Sequence, residues 1–225
     1  MQRAEKILNF LMTKEALSDE DRELIWNASE INDGDMQVEL FKVLSGGAQN
    51  MKKVDRVYFL ERVGQVKPED MIGRHIELIT EICTTMRAAN MSEEVVLKGL
   101  EMLWTIVMRS ENKCSLLIVN RAALGYSDIL SRMSIIQTIE QAEKLAETMS
   151  TKKMGYVIVK ILSRVLKSSF RPPTGHPEIE NASDMVDHLE QRYNLLQLVI
   201  EEFQSYMGRV RAEISTGRED LKGDL

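Results

Sequence analysis

Ser92-Glu93-Glu94-Val95-Val96-Leu97-Lys98-Gly99-Leu100-Glu101-Met102-Leu103-Trp104-Thr105-Ile106-Val107-Met108 is the stretch that decides the fold. Val95, Val96, Leu100, Leu103, Trp104, Val107 and Met108 recur at intervals of one, three and four, the period of a helix face. Asn90-Met91-Ser92-Glu93, just before them, has the Asn-x-x-Glu form of a helix start. The apolar positions cover well over half the circumference, and a helix of that kind is covered by neighbours on two sides, as in the middle of a stack.

Upstream, the same period repeats between polar turns. Ile7, Leu8, Leu11 and Met12 mark a first amphipathic helix. Ser18-Asp19-Glu20-Asp21 has the form of a capping box that starts a second, whose apolar face is read as Leu24, Ile25 and Ala28 with Leu17 as staple and Trp26 toward an edge. Asn32-Asp33-Gly34-Asp35 predicts a turn, Met36 to Leu44 a third helix, and Gly46-Gly47 its end. A fourth runs from about Met51 to Val66 with Val54, Val57, Tyr58, Phe59, Leu60 and Val63 as its face. Pro68 is placed in the first turn of a fifth, which carries Ile72, Ile76, Ile79, Ile82 and Cys83.

Downstream, Cys114 to Leu124 is a further apolar helix with Gly125 as its expected stop. Ser134 to Met149 and Met154 to Leu166 make two more, the latter with Val157, Ile158, Ile161, Leu162, Val165 and Leu166 in its core stripe. Three prolines and a glycine in Arg171-Pro172-Pro173-Thr174-Gly175-His176-Pro177 then forbid a continuous helix. A long helix resumes at Ser183 and carries Met185, Val186, Leu189, Tyr193, Leu196, Val199, Ile200, Phe203 and Met207. The expected organisation is therefore a helical-repeat domain over 1–169, a Pro-rich loop or linker over 170–182, a long helix over 183–214 that packs on or continues the stack, and a polar tail over 215–225.

Composition agrees with an all-α chain. Aromatics are only 5 % while methionine fills 14 positions, and unbranched side chains of this kind favour helices over sheets. Helices this numerous, joined by short polar turns, predict an armadillo/HEAT-like α-solenoid of nine or ten antiparallel helices rather than a single bundle. The net charge of −6 speaks against a nucleic-acid binder, and Arg209, Arg211 and Arg218 are interrupted by Glu213, Glu219 and Asp220. The longest apolar runs, Met102 to Met108 and Leu116 to Val119, are far shorter than the ~20 residues of a membrane span. Residues 1–6 have no apolar region behind them of the kind a secretory signal carries, so the cytoplasm is the expected compartment and the nucleus the alternative.

The chemistry-bearing residues do not assemble into a motif. Cys83 and Cys114 each sit in an apolar helical pattern, where a reduced, buried thiol is the ordinary state and a disulfide between them the alternative. His75, His176 and His188 are scattered singly, and His188 has Asp184 one turn earlier as a local polar partner. Glu93-Glu94 and Glu201-Glu202 fall at a helix start and on a solvent face, and no phosphate-binding glycine loop occurs. The expectation is no catalytic, cofactor-binding or metal residue and no cofactor. Trp26 and Trp104 are read as core or as anchors for a protein partner, and the apolar stripe from Met185 to Met207 as a dimerisation face.

Taken in order, several of these strings resemble one family: the armadillo-like, non-catalytic part of the very large fat-facets-type ubiquitin carboxyl-terminal hydrolases. The likeness rests on Leu17 to Ala28 with its acidic start and Leu24-Ile25-Trp26, on Phe59 to Val66 followed by Pro68 and Ile76-Glu77-Leu78-Ile79, on Gly99 to Trp104 with Ala122 to Leu130 after it, and on His188 to Leu196. It extends over about Leu17 to Phe203. The resemblance implies a helical-repeat scaffold that positions a hydrolase domain or recruits ubiquitinated substrates. The catalytic boxes of that family do not carry over, because Glu81-Ile82-Cys83-Thr84 and Lys113-Cys114-Ser115 do not match its Gly-Asn-x-Cys nucleophile box. The expected function is thus a non-catalytic protein-interaction module, with a structural homo-oligomer or subunit of a larger assembly joined through its helices as the alternative and a hidden cysteine hydrolase as the third.

Overall fold

A computed structural model of the chain describes residues 2–14, 17–29, 34–67, 70–85, 92–108, 115–133, 135–152, 155–167 and 182–215. These residues form eleven α-helices and one 3-10 turn, with no strand among them. The helices are α1 (Gln2–Lys14), α2 (Asp19–Ser29), α3 (Gly34–Gly47), α4 (Lys53–Gln65), α5 (Gly73–Thr84), α6 (Glu93–Met108), α7 (Leu116–Leu130), α8 (Ile135–Lys152), α9 (Gly155–Lys167), α10 (Ala182–Tyr193) and α11 (Leu195–Ser215). Pro68, Asn90, Met91, Cys114, His176, Arg218 and the proline loop between α9 and α10 lie outside the described residues.

Several starts and stops follow the sequence chemistry. Ser18 Oγ accepts the Asp21 amide at 3.1 Å and Asp21 Oδ2 accepts the Ser18 amide at 3.2 Å, so the box before α2 is closed in both directions. Gly47 ends α3, and the 3-10 turn Ala48–Asn50 follows it directly. Ser115 Oγ accepts from the Ile118 amide at the start of α7.

The chain divides into two compact units, Met1–Arg132 and Met133–Leu225. That division falls ahead of the expected boundary after residue 169, so α8 and α9 group with the C-terminal helices. In the first unit α6 packs against α4, α5 and α7, and α5 against α3, α4, α6 and α7. The broad apolar circumference of α6 is accounted for by this double coverage: Val95, Val96, Gly99, Leu100, Leu103, Ile106 and Val107 are all buried. Phe41, Phe59, Leu60, Leu78, Ile79, Ile82, Leu103, Ile129 and Leu130 are the large side chains at its centre. In the second unit α8 packs on α9, α10 and α11, and α11 on α8, α9 and α10.

Four expectations are corrected. First, α2 buries Arg22, Trp26 and Ser29, the i, i+4, i+7 face, while Leu24 stands 70 % exposed. Trp26 belongs to the core because its ring meets Phe41 edge-on at 6.3 Å, and Arg22 can lie beside it because a carboxylate from α4 receives its charge. Second, α5 begins at Gly73, later than Pro68, where the His75 ring nitrogen Nδ1 accepts the Ile72 amide at 3.1 Å and takes up an otherwise orphaned donor.

Third, Gly125 does not stop α7, which runs on to Leu130. It is a notch: a Cβ there would collide with Thr80 Oγ1 and come within 3.3 Å of Leu103 Cδ1, so α7 approaches α5 through the missing side chain. Gly99 of α6 does the same against the Cys83 sulfur of α5. Gly99→Val and Gly125→Val are each expected to destabilise the chain by about 1–3 kcal/mol through overpacking. Gly208→Ala, with nothing near its Cβ position, should instead be stabilising by up to about 1 kcal/mol. Urea melts of the three variants test the contrast, and equal effects at all three sites would contradict the notch assignment.

Fourth, the helix expected over 183–214 is two helices. Asn194 adopts φ 55°, the left-handed region that Asn tolerates better than other side chains, and its amide donates to Glu190 O at 2.8 Å to close α10. The Glu190 carboxylate then accepts the Leu196 amide at 2.6 Å and so serves the first turn of α11.

Candidate functional site

A cysteine nucleophile needs a thiolate and a base within hydrogen-bond reach. Cys83 has neither. It is 1 % exposed, its thiol donates to the Val95 carbonyl at 3.6 Å, and burial pushes its pKa up to about 12 against the small opposing pull of Arg56. His75 lies eight residues earlier on the same helix, about 12 Å along its axis. That histidine is itself buried, packs edge-on against Phe41 at 4.9 Å, and is held neutral by desolvation, its pKa lowered to about 4. Its roles are core packing and helix capping.

His188 reaches across to α8. Its Nε2 lies 2.8 Å from Glu143 Oε1, and Arg192 donates to the same oxygen at 2.7 Å. The partner is therefore Glu143, 45 residues away, in place of the Asp184 expected from local spacing, because α8 and α10 pack together. Glu93 and Glu94 stand exposed at the start of α6, with Glu94 bonded to Lys53 at 2.7 Å. Glu201 is exposed and accepts from Gln197, Glu202 is buried, and Arg211 is exposed. Among the described residues no group of three or more His, Cys, Asp or Glu side chains is placed to hold a metal ion, and no helix is long and apolar enough to cross a membrane.

The buried charges of α4 were not expected from sequence. Asp55 is completely buried: its Oδ1 receives Arg22 Nη1 at 2.9 Å and the Leu17 amide at 3.2 Å, which ties the entry of α2 to α4. Arg22 also bonds the exposed Asp19 and stacks at 5.5 Å over the Tyr58 ring, with Arg62 at 5.2 Å from the same ring centre. Arg62 in turn bonds Glu23 at 2.6 Å. Arg56, 5 % exposed, donates to the carbonyls of Met51 and Ile82. A signal for this cluster does exist in Asp55-Arg56, two charges set inside an apolar run, but the same pair on a solvent face would look no different.

Stripes of exposed apolar side chains lie on α11 and α1, and others stand exposed on α2, α4, α6, α7 and α10. On α11, Leu196 and Phe203 are more than 60 % exposed and Ile200 and Tyr206 about 40 %, spaced as one stripe. On α1, Ile7, Phe10 and Leu11 form a shorter one. Trp104 is half-buried against Tyr126, with ring centres 5.8 Å apart.

The polar residues described above serve helix caps and ion pairs between packed helices. The family model for the UBP24/USP9X/USP9Y ARM repeat matches residues 1–224. The chain belongs to that family. No curated protein and no solved structure matches it significantly. The all-α, armadillo-type fold expected from helix count and from the resemblance is thus the fold of this ARM-repeat chain. The matched region is a non-catalytic one in its family, and no catalytic domain is in this chain.

Proposed function

We propose that this ARM-repeat chain is a protein-interaction scaffold, a segment through which a large ubiquitin hydrolase positions its catalytic domain or recruits ubiquitinated substrates. The observation that carries the reading is the match of the ARM-repeat family over residues 1–224. The chemistry of Cys83 supports it, since a thiol held protonated inside α5 leaves binding as the work of the surface. Affinity capture from a cytosolic extract with the chain as bait, followed by mass spectrometry, is expected to enrich ubiquitinated proteins or a hydrolase domain over a scrambled-surface control. Parallel treatment with a ubiquitin-based thiol probe is expected to leave Cys83 and Cys114 unlabelled. An adduct on either cysteine would replace the scaffold reading by a cysteine hydrolase.

A second reading has its own observation, the exposed Leu196, Ile200, Phe203 and Tyr206 stripe of α11. In it the chain forms a homo-oligomer through that face. Sedimentation equilibrium then shows a mass that rises with concentration, and Phe203→Glu returns it to the monomer; a concentration-independent monomer removes this reading.

A further inference from the structure

A groove of about 620 Å3 opens within Met1–Arg132, where the end of α1, the 3-10 turn, the first turn of α4 and the facing ends of α5 and α6 meet. Thr13, Gln49, Asn50, Lys52, Lys53 and Arg56 line it. Arg56 is the unusual member. It is buried, and the two carbonyls it bonds, Met51 O at 3.1 Å and Ile82 O at 2.5 Å, satisfy two of its five N–H donors without bringing a charge. No described carboxylate pairs with it. Its neighbour Cys83 stays a neutral thiol. Buried guanidinium groups are ordinarily matched by an anion, because desolvation penalises the unpaired charge.

The two other charged residues of the lining, Lys52 and Lys53, have the same sign. Among the described residues Lys52 reaches only the Thr13 carbonyl, at 3.3 Å, and Lys53 meets one carboxylate, Glu94, at the exposed rim. Lys52 is also the N-cap of α4 and makes no side-chain bond to the helix, and the one acid of the first turn, Asp55, is engaged by Arg22 and the Leu17 amide. The volume is within the range of peptide and ligand clefts and many times that of one inorganic anion. Thr13, Gln49 and Asn50 add hydroxyl and amide groups of the kind that bond a peptide backbone.

We infer that this groove binds a short acidic segment of a partner protein, with a Glu or Asp carboxylate paired to Arg56 and flanked by Lys52 and Lys53. The inference rests on the interaction-module reading and names the chemistry of one partner. It is tested on the full chain by fluorescence anisotropy with a labelled peptide carrying adjacent glutamates in a Gly/Ser context. The comparison ligands are its glutamine counterpart and inorganic phosphate as competitor.

The expected result is saturable binding of the glutamate peptide, at least tenfold weaker binding of the glutamine peptide, and weakening with added salt. Lys52→Glu/Lys53→Glu, two exposed positions that leave the core intact, lowers affinity at least tenfold. Lys42→Glu/Lys144→Glu, the same change in net charge elsewhere on the surface, leaves it within twofold. Arg56→Lys, which keeps the charge but loses the planar fork, weakens binding as well. Absence of saturable binding, equal affinity for both peptides, or indifference to the Lys52/Lys53 change overturns the proposal, as does phosphate binding as tightly as the peptide. Partner capture that survives Lys52→Glu/Lys53→Glu rejects the groove and leaves the scaffold standing; peptide binding without any captured partner does the reverse.

Discussion

Asp55→Ala is expected to cost about 3–5 kcal/mol, the largest loss from any single truncation outside the apolar core, because it strands a buried guanidinium. Asp55 is completely buried, and its Oδ1 alone receives both Arg22 and the Leu17 amide. Removing the carboxylate leaves Arg22, itself 7 % exposed, with only the solvent-facing Asp19 as an acid partner and leaves the Leu17 N–H without its acceptor. The loss is a large fraction of the 5–15 kcal/mol typical of a whole domain, so a urea melt should show it as an early transition of the first unit. Asp55→Asn separates the contributions: it keeps an acceptor for Leu17 but not the charge, and should fall between wild type and Ala. Arg22→Met/Asp55→Leu should recover much of the loss, since an apolar pair of similar volume needs no desolvated charge. A cost below about 1 kcal/mol for Asp55→Ala would show that Arg22 finds another partner and that this pair is not what fixes α2 on α4.

This pair also marks how far the sequence could be read. Helix existence was legible wherever the apolar period was strong, as in α6 and α9, and where side chains close a cap locally, as Ser18 and Asp21 do. Such features depend on residues within one or two turns. What was not legible depends on partners far along the chain. Arg22 is buried because Asp55 stands 33 residues later, and Leu24 is turned outward in consequence, although it scores as the more apolar residue. His188 prefers Glu143 over its near neighbour for the same reason. Gly125 reads as a helix stop until Thr80 is placed opposite it, and Asn194 reads as an ordinary helical residue until its backbone is seen to be left-handed. At the level of function the sequence supplied the family through distributed likeness, but the unmatched charge of Arg56 requires knowing that Ile82 and Cys83 lie against it.

Acid should weaken the first unit through His75 well before carboxylates protonate in bulk. The ring is 6 % exposed, meets Phe41 and Trp26, and accepts the Ile72 amide at Nδ1, a bond that only the neutral ring with its proton on Nε2 can make. Burial lowers its pKa from 6.5 to about 4. Above pH 6.5 the ring is neutral in both folded and unfolded chains, and stability does not depend on it. Between pH 6.5 and 4 the unfolded chain takes up a proton that the native chain refuses, so stability falls as pH falls. At 1.36 kcal/mol for each unit, the loss approaches about 3 kcal/mol at pH 4. Glu81, whose pKa is raised chiefly by desolvation, acts in the opposite direction and partly masks the slope in the wild type. The comparison with His75→Asn isolates the ring, because Asn offers an acceptor near the Nδ1 position but does not titrate. That variant should be less stable than wild type at pH 7, having lost the aromatic packing, yet lose about 3 kcal/mol less between pH 7 and pH 4. Parallel pH profiles for the two proteins would mean that His75 is protonated in the native state without penalty, which is incompatible with its burial against Phe41 and Trp26.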